Sequence, residues 1–157
     1  MENGAGGRFL IQGKHNQIMV RLSLSDPGVI KKIKAHHGYP VFPGSFRTRN
    51  AMDTDEGRAC CLKLSADLAN RIEDHINNQN KIVAVLGGNP ESTGCAIHMV
   101  PSGKNESMVS NSGIFMKEFH RELCNRKIIV PFRGMRDCRP EWIKQDLEWS
   151  EDIFNQS

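Results

Sequence analysis

Lys81-Ile82-Val83-Ala84-Val85-Leu86 is a short apolar, β-branched run closed by Gly87-Gly88-Asn89-Pro90. Its length and the turn residues behind it make it a strand rather than a piece of buried helix. Gly87 to Gly94 is dense in turn formers, and Cys95 to Val100 is a second strand candidate. The two runs together predict a hairpin with a long loop.

Upstream of this run, Leu68, Ile72 and Ile76 recur at spacings of four. Ser65 is placed to cap the helix they imply, Asp67 favours its dipole, and Asn77-Asn78 should end it. Nearer the start, Gln17 to Leu24 alternates Ile18, Val20, Leu22 and Leu24 against Met19, Arg21 and Ser23, the signature of a strand with one buried face. A short strand over Phe9 to Ile11 precedes it. Asp26-Pro27 opens a short helix carrying Val29, Ile30 and Ile33, and the glycines and prolines between His36 and Asn50 predict a long loop.

Downstream, Ser112 can cap a helix whose Phe115, Phe119 and Leu123 share a face, and Lys127 to Phe132 is a last strand candidate. Pro140 starts a segment placing Trp142, Trp149 and Ile153 at spacings of seven and four, one face of a helix. Interleaved strands and helices predict an α+β fold, a single domain with short β-hairpins and three to four short helices. It should span residues 8–154 behind a flexible, glycine-rich lead-in over residues 1–7.

The chain has 157 residues, of which 38% are hydrophobic and 25% charged, enough for one core and too few for two domains. Its net charge of +3 is unevenly spread. Residues 1–50 hold eight Lys/Arg against two acids, residues 51–100 four against seven, and residues 101–157 nine against nine. Such a basic segment suits phosphate or an acidic partner, and equally a solvated face. Five cysteines, two of them adjacent, and no apolar leader at the start suggest reduced thiols in a cytosolic or nuclear compartment. No apolar run is long enough to span a bilayer, so no membrane partner is expected.

Three constellations bear on chemistry. Cys95, His98, His120 and Cys124 have the ligand types of tetrahedral zinc, but on a strand Cys95 and His98 would point to opposite faces. Whether they bind zinc stays open from the sequence, and no cofactor is expected. His36-His37, with Asp53, Asp55 and Glu56 along the chain, supplies acids and bases without a nucleophile or oxyanion hole. The basic set is fuller: Lys31, Lys32, Lys34, Arg47 and Arg49 early, and Arg126, Lys127, Arg133, Arg136 and Arg139 late. Lysines suit phosphates, and guanidinium groups suit bidentate contacts to phosphate or guanine edges.

Both tryptophans lie in Cys138-Arg139-Pro140-x-Trp142-x-x-x-Asp146-Leu147-x-Trp149. This segment resembles the Cys-Lys-Pro-x-Trp-Trp-Pro-x-Asp-Ile-x-Trp segment in the DNA-binding domain of the nuclear respiratory factor and erect wing family. Ile143 and Lys144 replace that family's second Trp and its Pro, and the basic stretch before its hairpin has no counterpart here. The resemblance implies sequence-specific binding of double-stranded DNA, in the nucleus, by a homodimer reading a palindrome. Cys138, Pro140, Trp142, Asp146 and Trp149 would set the architecture.

The expected function is therefore a DNA-binding module of a transcription regulator, not an enzyme. Lys31, Lys32, Lys34, Arg47, Arg49, Arg133 and Arg136 are the expected DNA contacts, chosen from charge. A protein-interaction domain with a basic surface is the alternative, and a small hydrolase using the His36-His37 loop ranks behind it.

Overall fold

The computed structural model describes residues 10–22, 53–88, 90, 92, 94–103, 105–136 and 139–156. Their elements run β1 (Leu10–Gln12), β2 (Gln17–Arg21), α1 (Asp55–Asn77), β3 (Lys81–Gly87), β4 (Met99–Ser102), β5 (Asn105–Met108), α2 (Ile114–Asn125), β6 (Phe132–Gly134) and α3 (Pro140–Gln156). The fold is mixed α+β, as the alternation of patterns predicts.

A four-stranded sheet has the order β1-β2-β3-β6. β1 pairs antiparallel with β2, whereas β2, β3 and β6 are mutually parallel. The expected hairpin between Lys81–Leu86 and Cys95–Val100 does not form. β3 is central and covered on both faces, which is why it reads as an unbroken apolar run rather than an alternating one. β4 pairs instead with β5, and Gly103 in the turn between them takes a φ of 62°, open to glycine at little cost.

The chain steps from β2 through α1 to β3, then through the β4–β5 hairpin and α2 to β6, always in one direction across the sheet. Right-handed crossovers then put α1 and α2 on the same face. Ile18 and Val20 of β2 and Leu22 just beyond it meet Leu64, Leu68 and Ile72 of α1 and Phe115, Phe119 and Leu123 of α2 in one core cluster. The other face carries Met19, Val83, Ala84 and Leu86, covered by Trp149, Ile153 and Phe154 of α3. Pairing jumps from Ile18↔Ile82 to Met19↔Ala84, so Val83 is an extra residue in β3. This bulge turns both Val83 and Ala84 toward α3.

Helix α1 starts ten residues before the start expected at Ser65. Thr54 caps it by accepting from the Gly57 amide at 3.0 Å, with Asp55 and Glu56 in the first turn. Ser65 lies mid-helix, fully buried. Ser112 is not the cap of α2 either: its hydroxyl accepts from the His98 amide at 2.9 Å and donates to the His98 carbonyl at 3.1 Å. The strand expected over Lys127 to Phe132 begins only at Phe132, since Lys127 takes a left-handed φ of 60° and Ile129 is 87% exposed. Arg126, just past α2, ties the two helices by reaching Glu122, Glu73 and Asn70 at 2.7–2.8 Å. The helix expected from Asp26 and the loop over 36–50 lie outside the described residues.

Candidate nucleic-acid interface

Proline at the first position of α3 needs no amide partner and has the helical φ already set. From there Trp142, Asp146, Trp149 and Ile153 follow at spacings of four, three and four, one face of the helix. A carboxylate in the middle of that apolar face must find cations. Asp146 is fully buried. Arg133, from β6, donates to its Oδ1 through Nε at 3.0 Å and Nη2 at 2.8 Å. Arg136, two residues beyond β6, donates its backbone amide to Oδ2 and its Nη2 to Oδ1, both at 2.8 Å.

The two tryptophans complete this knot. The Arg133 guanidinium lies 5.0 Å from the centre of the Trp149 ring. Those of Arg136 and Arg139 lie 5.6 and 4.9 Å from the Trp142 ring. All three are within cation–π range, so the rings hold planar cations in place while covering their apolar faces. Burial opposes ionisation of Asp146, but the Arg136 side chain and amide, with Arg133, outweigh it. The carboxyl is held below its ordinary range.

Since β2, β3 and β6 are parallel, their carboxyl ends form one edge of the sheet, and the arginine knot stands there behind Gly134. The Leu22 amide is bonded to the Leu86 carbonyl at that edge, 2.8 Å away. In open sheets with parallel strands this edge is where ligands commonly bind.

Of the residues expected to contact DNA, Arg133 and Arg136 are brought together on Asp146, with side chains 28% and 32% exposed. Lys31, Lys32, Lys34, Arg47 and Arg49 lie outside the described residues, as do Cys138 and the His36-His37 pair. Asp53 is engaged with Arg58, while Asp55 and Glu56 serve the start of α1. Pro140, Trp142, Asp146 and Trp149 all belong to α3, both tryptophans half-buried. Arg139 is exposed, and among the described residues it has no carboxylate partner. Charge counting grouped these arginines but did not separate those bound to Asp146 from the one left outside. The signal was present: an acid at helical spacing between two tryptophans calls for buried cations.

The candidate zinc ligands go to other partners. Cys95 Sγ lies 2.9 Å from the Ser92 hydroxyl, and His98 Nε2 lies 3.0 Å from the Pro90 carbonyl. His120 meets Phe132 edge-on at 4.9 Å, and burial lowers its pKa. Cys124 Sγ sits 3.8–3.9 Å from its ring nitrogens. Among the described residues no three His, Cys, Asp or Glu side chains converge on a point where a metal could sit. No described helix is long and apolar enough to cross a membrane.

No protein-family model, no curated protein and no solved structure matches this chain.

Proposed function

We propose that the chain is a nuclear DNA-binding module of a transcription regulator, and that it holds duplex phosphates at the carboxyl edge of its parallel sheet. One observation supports this most: three guanidinium groups stand against two tryptophan rings, two of them on one buried carboxylate and the third exposed beside them. Asp146 engages Arg133 and Arg136, and Arg139 is the exposed guanidinium. Phosphate contact of this kind gives affinity and register, while base edges supply specificity.

Binding to a randomised duplex pool at about 50 and 200 mM salt, followed by selection, tests the reading. Trp142, beside two of the arginines, supplies a fluorescence signal. The expected result is one enriched palindromic motif, with affinity falling steeply as salt rises. Arg139→Ala should weaken all duplexes alike and lower the salt slope by about one. Salt-insensitive binding, or none, sinks the reading.

A second reading has its own observation. Ile143 and Leu147 lie one turn apart on α3, 38% and 55% exposed. An apolar strip of this kind suits a protein partner, and capture of a protein ligand without any DNA affinity would favour it.

A further inference from the structure

At the opposite edge of the sheet, where β2 and β3 begin, the β1–β2 turn and the end of α3 enclose an open groove of about 850 Å³. This is the size range of small-molecule sites. The groove is built rather than incidental. Gln17, nearly buried, donates its side-chain amide to the Phe154 carbonyl at 2.7 Å and so fixes the last turns of α3 against β2. Gly13 admits the Phe154 ring onto the backbone, since a Cβ there would stand 2.4 Å from it. His15 and Asn16 both take left-handed conformations, with φ of 54° and 63°, and the turn they make carries Lys14 and His15 to the groove.

The lining combines three kinds of chemistry. Lys14 and Lys81 line it from neighbouring segments of chain, and among the described lining residues Glu151 carries the carboxylate. Phe154 offers an aromatic surface, and Asn155 beside it offers an amide that both donates and accepts. Cations suit a phosphate, a phenyl ring suits a flat heterocycle, and a carboxamide suits the polar edge of that heterocycle. We propose that this groove binds a small organic phosphate bearing a flat ring, of the nucleoside monophosphate class. The phosphate lies at Lys14 and Lys81, the ring against Phe154, and its edge at Asn155.

Calorimetric titration of the full chain with adenosine monophosphate, adenosine and inorganic phosphate tests this. The monophosphate should bind more tightly than either fragment. Lys14→Glu should weaken it by about tenfold or more, since a charge-assisted contact is replaced by repulsion. Asn155→Ala should weaken the monophosphate and leave inorganic phosphate unaffected. Both positions are exposed, so an unchanged melting temperature shows that the variants fold. No saturable binding of the monophosphate, binding equal to that of inorganic phosphate, or full affinity in Lys14→Glu would each overturn the proposal. The groove and the arginine knot lie at opposite edges. Lys14→Glu should therefore keep duplex binding, and Arg139→Ala should keep monophosphate binding, which separates a failure of one reading from a failure of the other.

Discussion

Replacing Asp146 by Asn removes one charge from the centre of the arginine knot and almost nothing from its shape. In the native protein that carboxylate accepts four hydrogen bonds at 3.0 Å or less, three from guanidinium groups and one from the Arg136 amide. The amide keeps one acceptor oxygen and turns an NH2 group toward donors. Losing one partner of a buried pair costs roughly 3–5 kcal/mol. Because the arginines keep 28% and 32% of their side-chain exposure, they recover some hydration, and the lower end, about 3 kcal/mol, applies. For a chain of this length that is a fall in Tm of roughly 6–12 °C. Urea unfolding and calorimetry at pH 7 would measure it.

The same carboxylate sets an acid limb. Its folded pKa lies below the unfolded value of about 3.9, so its contribution is fully present above that pH and is lost as pH falls through the folded value. Stability of the native protein should drop across this acid window, and Asp146→Asn should flatten that part of the curve. A loss under about 1 kcal/mol at pH 7, the scale of an exposed ion pair, or an unchanged acid slope, would refute the account of Asp146 as the anchor joining β6 to α3.

Two further outcomes follow from buried groups. Ser65 Oγ is buried and has no hydrogen-bond partner among the described residues, so Ser65→Ala should leave stability unchanged or raise it by about 1 kcal/mol in urea unfolding; a clear loss would mean the hydroxyl has a partner. Burial pushes the thiols of Cys60 and Cys61 up to about 11 and about 12, and Cys95 is also buried. Of these four described cysteines, only the exposed Cys124 should react quickly with a thiol reagent at pH 7, and urea should release the other three. Mass mapping of the labelled sites would check both.

Much of the element pattern was legible because it is local. The alternation at Ile18, Val20 and Leu22 marks the face of β2 that meets α1 and α2, and Phe115, Phe119 and Leu123 mark the buried side of α2. The end of α1 at Asn77 and the start of α3 at Pro140 fall where their residues indicate. The start of α1 was hidden because Gly57 and the Cys60-Cys61 pair, poor helix signals, form its first buried turns. Ser65 and Ser112 resemble caps, yet one is buried inside a helix and the other clasps His98. A hydroxyl's partner is a matter of neighbours in space.

The sequence alone determined a mixed α+β chain with a two-tryptophan helix at its end and a carboxylate on that helix's apolar face. Tertiary structure decided which strands pair, and so turned an expected hairpin into the central strand of a parallel sheet. It also decided that Arg133 and Arg136 close on Asp146 while Arg139 stays outside. The reason is the range of the forces involved. Periodicity records which face of an element is buried, whereas β3 bonds to strands beginning 64 residues before it and 51 after it, and a guanidinium's role depends on the carboxylate that folding brings to it.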